Sequence, residues 1–233
     1  MTFCFCTLAI HRPYRERARL LCSDAHNVPW IVLTDNPGDF ADLPVRAIQH
    51  EPTGPMAIDY LSHLPATGQG RGAAAYHDKR FALQAALKDF DTAIYIDADS
   101  RFTRFPPIGG FRGGLTVLPL VRKTIAEHLE TCGSWRRPFL EELAQHLTGT
   151  TDILRSAPWC HETIIAVTKD GNETRFFEAW SIGADFLQSR RMYSGEGGVI
   201  GLAATYAGWT VNFDSLSSLD AAIQHEGGGP KRS

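Results

Sequence analysis

Two acidic residues, Asp97 and Asp99, directly follow a short apolar run at residues 93–96. Side chains two residues apart on an extended chain project to the same side, so the two carboxylates can converge on one cation. Carboxylate oxygens suit Mg²⁺ and Mn²⁺, and a cation removes the repulsion that would raise the pKa of one acid of the pair. The spacing therefore predicts a divalent metal site, with Mn²⁺ or Mg²⁺ as the cofactor.

The elements around this pair determine where it lies. The run 93–96 is too short for a helix and too apolar for an exposed strand, as is typical of a buried strand. A helix is predicted over residues 76–90, and because it leads into that strand it runs antiparallel to it. Arg80, which shares a helical face with Leu83 and Leu87, is therefore expected near Asp97, where it could bind phosphates or the aspartates.

The whole chain shows an alternation of strand and helix patterns. Apolar runs predict strands at residues 3–9, 30–35, 45–48, 93–96, 115–120, 163–168 and 209–213. Helical periodicity is found at residues 14–22, 76–90, 122–130, 138–147, 173–188 and 198–206. This order predicts an α/β fold with a mixed, mainly parallel central sheet that helices cover on both faces. Ligands of such sheets bind outside the carboxyl ends of the strands, which is where the aspartate pair lies.

Bulk composition limits the classes of partner. The chain has 233 residues and a formal net charge of -3, which favours one domain and gives no reason to expect nucleic acid as a partner. No apolar run approaches the roughly 20 residues of a membrane-spanning helix, and no signal segment opens the sequence. We therefore expect a cytoplasmic protein. The five cysteines lack the paired spacing of a zinc or disulfide framework and are expected to be reduced core residues.

Residues 78–102 resemble the core of the retaining GT-A glycosyltransferases. The matching stretch is Asp-Lys-Arg-Phe, a helix, and then Phe-Asp-Thr-Ala-Ile-Tyr-Ile-Asp-Ala-Asp-Ser-Arg-Phe. It is most similar to the blood-group A/B and α-1,3-galactosyltransferase family, with a secondary likeness to the glycogenin type. The resemblance implies one Rossmann-like GT-A domain, with a nucleotide-binding half at 1–104 and an acceptor- and sugar-binding half at 105–233. It also implies that Arg80, Asp97 and Asp99 handle a UDP-sugar diphosphate and its Mn²⁺.

The resemblance extends, less specifically, to other segments. Thr7, Ala9, Tyr14 and Asp35 are similar in position to elements that hold uridine in these enzymes. Residues 194–202 resemble the segment that carries a catalytic glutamate at a helix start, which would be Glu196. The alternative for Glu196 is an acid that only stabilises the amino end of its helix through the macrodipole.

Two further sets of residues follow from the same resemblance. His225, Gly228 and Lys231 have the spacing of the His-x-x-Gly-x-x-Lys element of glycogenin-like enzymes, which supplies a metal ligand and a phosphate-binding lysine. The Pro-Trp that usually follows is missing, so an incidental histidine in a Gly-rich tail is the alternative. Trp159, His161 and Glu162 would line the donor-sugar and acceptor pocket, or else form a buried Trp beside a hydrogen-bonded His.

The implied activity is transfer of a hexose from a UDP-sugar to a hydroxyl acceptor, with retention of configuration. Two alternatives use the same residues. Phosphatases of the haloacid dehalogenase type also contain Asp-x-Asp, although there the pair follows the first strand. A sugar-nucleotide-binding protein without catalysis is the other. The patterns select neither the donor sugar, nor the acceptor, nor the oligomeric state.

Overall fold

The structure is a computed structural model that describes residues 1–53, 58–59, 71–72, 75–120, 122–190, 192 and 195–225. Its strands are β1 (Phe3–Ala9), β2 (Trp30–Thr34), β3 (Arg46–Gln49), β4 (Ile58–Asp59), β5 (Arg71–Gly72), β6 (Thr92–Ile96), β7 (Ser100–Phe102), β8 (Gly114–Val117), β9 (Ile164–Thr168) and β10 (Ile223–His225). Its α-helices are α1 (Arg12–Asp24), α2 (Ala75–Leu87), α3 (Ile125–Thr131), α4 (Arg137–Thr148), α5 (Glu173–Ser189), α6 (Glu196–Tyr206) and α7 (Ser217–Asp220).

A six-stranded sheet in the order β3-β2-β1-β6-β9-β8 forms the centre of the fold. The first four strands in this order, β3, β2, β1 and β6, are parallel, whereas β9 pairs antiparallel with both β6 and β8. The carboxyl ends of β1, β2, β3 and β6 therefore meet at one edge of the sheet. Because β9 runs in the opposite direction, the residues that precede it reach this same edge.

The side chains of the strands alternate between two apolar clusters, one on each face of the sheet. Cys6 and Leu8 of β1 pack on the side of α2, α3, α4, α5 and α6. Phe5 and Ala9 pack on the other side, with α1 and α7. Burial of both faces explains why the central strands are continuous apolar runs. The predicted fold class, α/β with a mixed and mainly parallel sheet covered on both faces, is confirmed.

Several local predictions need correction. Residues 209–213 were expected to form a strand, but only Asn212 makes an isolated bridge, to Thr116. Cys132 was expected in the core and is exposed at the end of α3, whereas the other four cysteines are buried. The loop predicted around residues 65–72 lies largely outside the described residues. No helix in the described part of the chain is long and apolar enough to cross a membrane.

A short ribbon beside the main sheet was not predicted. It consists of β7 and β10, which pair antiparallel so that His225 lies opposite Ser100. Asp24 at the end of α1 holds this ribbon: its carboxylate accepts hydrogen bonds from Arg101 Nε (2.6 Å) and from the Phe102 N–H (3.2 Å). The ribbon thus brings a late segment of the chain to the edge where β6 ends.

Candidate functional site

The acidic pair lies in the turn between β6 and β7. The Asp97 N–H donates to the Thr163 carbonyl at 3.0 Å, and the Ser100 N–H donates to the Asp97 carbonyl at 3.0 Å. These bonds fix the turn against the residues that precede β9. The pairing of β7 with β10 brings His225 to the same place, where its Nδ1 lies 3.3 Å from Asp99 Oδ1.

The three side chains form a donor set that fits a divalent cation. One ligand atom from each of Asp97, Asp99 and His225 lies within 4.8 Å of the others. Two carboxylates and an imidazole suit Mn²⁺, and the carboxylates also suit Mg²⁺. Burial, together with the neighbouring charge of Asp97, raises the pKa of Asp99. A bound cation would relieve this repulsion, so the residues present fit a metal, and metal binding remains a prediction.

Lys79, a residue that sequence reasoning did not single out, joins the two acidic parts of the site. Its ammonium group lies 3.0 Å from Asp97 Oδ1 and 2.8 Å from Glu196 Oε1, and it donates to the Glu162 carbonyl at 3.2 Å. The ammonium thus donates hydrogen bonds to Glu196 and to the Glu162 carbonyl and forms an ion pair with Asp97. Burial acts against the charge of Lys79, but Asp97 and Glu196 outweigh it and raise the pKa of the ammonium.

Arg80 was expected to lie near Asp97, but in the structure its guanidinium contacts other residues. Its guanidinium donates from Nη1 to the His77 carbonyl (2.7 Å) and from Nε to Ser181 Oγ on α5 (3.1 Å). It also lies 3.5 Å from Asp78 Oδ1. The start of α2 does lie beside the end of β6, as the antiparallel argument requires, but Lys79 is the residue that meets Asp97.

The error has a physical cause in the burial of α2. This helix packs both on the sheet and on α5, so Ala82, Leu83, Ala86 and Leu87 are all buried. Two adjacent stripes of the helix are consequently apolar, and periodicity cannot tell which stripe faces the sheet. The alanines at 82 and 86 continue the helical face of Lys79 and were a signal that could have identified it.

Glu196 is the first residue of α6 and is almost completely buried. Gly195 precedes it with φ 94°, a conformation that favours glycine, and so directs the chain into the helix. Oε1 of Glu196 accepts from Lys79, whereas Oε2 is buried without a hydrogen-bond partner in the described structure. Burial raises the pKa of Glu196 to about 8, although the charge of Lys79 acts to lower it.

Two glycines of α6 determine how closely this helix approaches the segment that precedes β9. A Cβ atom at Gly197 would overlap the Cys160 carbonyl oxygen, and one at Gly201 would overlap the Pro158 carbonyl oxygen. The Cys160 N–H in turn donates to the Gly197 carbonyl at 3.1 Å. The absence of side chains at these two positions therefore allows α6 to bring Glu196 to Lys79.

The predicted sugar-pocket residues lie beside this contact. Trp159 is only 5% exposed, and its ring stacks on His128 with centroids 3.7 Å apart. His161 Nδ1 lies 3.0 Å from the Thr163 hydroxyl, and burial lowers the pKa of His161. This arrangement matches the alternative of a buried Trp and a hydrogen-bonded His. Glu162 is half-buried and contributes its carbonyl to Lys79.

The predicted uridine-binding residues differ in their exposure to solvent. Thr7 and Ala9 are fully buried in β1, and Thr7 Oγ1 has no hydrogen-bond partner in the described structure, so their assignment to uridine stays a prediction. Tyr14 is 45% exposed at the start of α1. Asp35 follows β2 and accepts from Arg15 Nη1 (2.7 Å) and from the His11 N–H (3.1 Å).

His11, which no sequence pattern indicated, has an unusual backbone at this edge. Its φ of 67° and ψ of 150° lie in a region that residues other than glycine rarely adopt. The hydrogen bond from its N–H to Asp35 holds this conformation. Strained backbone of this kind concentrates at ligand-binding sites, which marks the loop between β1 and α1 as part of the candidate site.

A separate groove lies elsewhere on the surface. Its volume is about 670 Å³, and its walls come from the last turns of α2 and from α5, including Leu87, Lys88 and Phe177. None of the residues that meet Asp97 lines it. Lys88 and Lys169 in its wall follow the ends of α2 and β9, which lie at the opposite edge of the sheet.

No family model matches the chain, and no curated protein matches it. The likeness to GT-A glycosyltransferases thus depends on the quoted motifs. Of the residues in those motifs, Ser194, Gly228 and Lys231 lie outside the described residues.

Proposed function

We propose that the protein is a metal-dependent glycosyltransferase that moves a hexose from a UDP-sugar to a hydroxyl acceptor, with retention of configuration. One observation carries the proposal. Asp97, Asp99 and His225 converge within 4.8 Å, and Lys79 links their site to a second buried acid, Glu196. The choice of a UDP-sugar as donor and of a hexose as the transferred group rests on the resemblance of residues 78–102 and 194–202 to the GT-A enzymes.

Asp97, Asp99 and His225 would hold the cation. A divalent cation there would neutralise the charge that develops on the diphosphate when the bond to the sugar breaks. For retention, the Glu196 carboxylate would bond to the anomeric carbon as the nucleoside diphosphate leaves with the bonding electron pair. The acceptor oxygen would then displace Glu196, which departs with its electron pair, and the acceptor proton would pass to the released diphosphate.

Lys79 positions the two carboxylates relative to each other. Its ammonium is buried, donates hydrogen bonds to Glu196 and the Glu162 carbonyl, and forms an ion pair with Asp97, so it has little freedom to move. It keeps Glu196 at a fixed distance from the acidic pair. It also supplies a positive charge close to the place where the diphosphate would bind.

Glu196 has the chemistry of the group that faces the anomeric carbon. Its Oε2 is buried and has no hydrogen-bond partner in the described structure, so it can interact with a ligand without losing a protein contact. In its ionised form, which a pKa of about 8 makes the minor form at neutral pH, Glu196 can form a bond to the anomeric carbon or stabilise the positive charge that develops on it. Retention follows from the first of these roles.

The proposal is tested with purified protein, a panel of UDP-sugars and Mn²⁺. We expect Asp99→Ala to lower UDP-sugar hydrolysis or transfer by at least about 100-fold, because the site loses a ligand and the charge it holds. Excess EDTA should abolish the activity of the wild type. Asp89→Ala, which removes an exposed acid paired with Arg46, is the matched control and should be fully active.

Two outcomes would contradict the proposal: full activity of folded Asp99→Ala, or full activity in EDTA. The donor class is found first by a thermal-shift screen of UDP, GDP, CMP and dTDP sugars with and without Mn²⁺. Phosphate release from a phosphomonoester with Mg²⁺ and no nucleotide would instead favour the phosphatase. Binding of UDP and Mn²⁺ by calorimetry without turnover would favour a non-catalytic binding protein.

A further inference from the structure

The helix α1 carries four arginines, and one of them differs from the rest. Arg12 lies 2.7 Å from Glu16, Arg15 lies 2.7 Å from Asp35, and Arg19 lies 2.6 Å from Asp42. The fourth, Arg17, is half-buried. Within the described part of the chain, its guanidinium makes no ion pair and no hydrogen bond, and it lies beside the ring of Tyr14.

The position of Arg17 on α1 directs it towards the acidic pair. Arg17, Leu21 and Asp24 are spaced four and then three residues apart, so they share one face of the helix. Asp24 binds Arg101 and the Phe102 N–H, and Leu21 packs in the same cluster as Phe102. This face therefore lies against β7, the strand that begins directly after Asp99.

The position of Arg17 along the axis of α1 agrees with this placement. Because α1 follows β1 and returns along the sheet, its first turns lie at the carboxyl edge, where Asp97 and Asp99 also lie. Arg17 lies about two turns closer to this edge than Asp24 and on the same face of α1, so it lies on the side of the helix that faces the turn at Asp99.

Tyr14 adds an aromatic surface next to this charge. Its ring centroid lies 5.9 Å from Arg17 Cζ, and the side chain is 45% exposed. A guanidinium group matches the oxygens of a phosphate, and an exposed ring suits the flat face of a base. The cation site, the unpaired arginine and the ring together suit a metal-bound diphosphate attached to a base.

We propose that Arg17 binds the diphosphate group of a ligand held at the Asp97, Asp99 and His225 site, from the side of α1. The inference rests on the proposed function to the extent that this ligand is the UDP-sugar donor. Arg17 and Lys79 then lie on opposite faces of the sheet edge, because α1 and α2 cover opposite faces. The diphosphate is held between them.

The sign of the charge gives a test that a merely structural role would not pass. Arg17 attracts a phosphate, but it repels a cation at Asp99. Arg17→Gln should therefore weaken diphosphate binding and leave the affinity for Mn²⁺ alone unchanged or higher. A variant that only disturbs the packing of α1 on β7 would weaken both, because β7 and β10 hold His225.

The experiment is calorimetry on the full chain with Mn²⁺ alone, and with UDP, uridine or pyrophosphate in the presence of Mn²⁺. For Arg17→Gln we expect UDP and pyrophosphate to bind at least about 10-fold more weakly, and uridine to be unaffected. Arg17→Lys should recover part of the loss. Arg12→Gln, on the same helix and paired with the exposed Glu16, is the matched control and should bind all ligands as the wild type does.

Three results would overturn the inference: UDP binding to Arg17→Gln at wild-type affinity, an equal loss in Arg12→Gln, or an equal loss of Mn²⁺ affinity in Arg17→Gln. If the wild type binds pyrophosphate but no nucleotide, and Arg17→Gln loses it, the inference on Arg17 stands and the proposed function fails. If the wild type binds neither pyrophosphate nor UDP, the inference on Arg17 fails.

Discussion

Two carboxylates close to the start of α2 are equally hidden from solvent and have opposite surroundings. Asp78 is 0% exposed and Glu196 is 4% exposed. Asp78 accepts hydrogen bonds from the Thr53 N–H (2.9 Å) and hydroxyl (2.5 Å), and lies 3.1 Å from His50 Nε2. Glu196 has Lys79 on one oxygen and no hydrogen-bond partner in the described structure on the other.

The pKa values of the two acids shift in opposite directions as a result. Burial acts to raise the pKa of Asp78, but the hydrogen bonds from His50 and Thr53 outweigh it and lower the pKa. Burial dominates at Glu196 and raises its pKa to about 8. The supply of hydrogen-bond donors, more than burial, therefore decides which of the two acids is charged in the folded protein. An acid with an unused oxygen is available for a ligand.

The largest expected effect comes from removing the well-satisfied acid. Asp78→Ala should lower the free energy of unfolding by about 3–5 kcal/mol, because it leaves the buried Arg80 without its carboxylate partner. Urea unfolding at constant pH measures the loss. Glu196→Gln, which changes the poorly satisfied acid, is the comparison variant. Equal losses in the two variants would show that the distinction between these acids is wrong.

A smaller loss is expected when the packing that positions Glu196 is disturbed. Gly201→Ala places a methyl group onto the Pro158 carbonyl and should cost about 1–3 kcal/mol through displacement of α6. It should also reduce any catalytic activity, because the start of the helix moves away from Lys79. Gly109→Ala is the control, since a Cβ there meets no atom within 4 Å. A wild-type unfolding curve for Gly201→Ala would contradict the close approach.

The smallest change in the free energy of unfolding at a fixed pH is expected for Glu196→Gln. Its effect is seen in how the stability depends on pH. At pH 5 the wild-type carboxyl is protonated, so the variant should differ in unfolding free energy by no more than about 1 kcal/mol. The folded pKa, about 8, exceeds the ordinary value of 4.5. The stability contribution of Glu196 is therefore complete below pH 4.5 and is lost as the pH rises towards 8.

Glu196→Gln should remove this decline, whereas the contribution of Asp78 is lost in the opposite direction, as the pH falls below its ordinary range. Urea unfolding of wild type and variant at several pH values from 5 to about 9 measures the difference. Parallel stability profiles for the two proteins would show that Glu196 does not titrate in this range.

The sequence predicted the parts of the fold that depend on long, regular patterns. The apolar run of β1 and the helical period of α2 gave the correct elements because β1 is buried from Cys4 to Ala9 and α2 places regularly spaced apolar residues in the core. The meeting of the start of α2 with the end of β6 followed from topology. Which basic side chain makes the contact did not, because Lys79 and Arg80 are both buried on a helix packed on two sides.

The ribbon that completes the candidate metal site could not be predicted from hydrophobic periodicity. β7 and β10 have three residues each, too few to show an alternating pattern. Their pairing joins segments far apart in the chain, and no local signal fixes such a contact. His225 was identified only through motif spacing, and Arg17 was overlooked because an arginine on an amphipathic helix usually faces solvent.

The reversed direction of β9 has a practical consequence. Where this strand ends, the Lys169 N–H donates to the Asp91 carbonyl at 2.9 Å, so the turn that follows lies beneath the start of β6, at the edge remote from Asp97. Asn172 in this turn is exposed, and its side chain makes no capping hydrogen bond. A fluorophore or a solid support tethered there would leave the edge that carries Asp97 and Asp99 open.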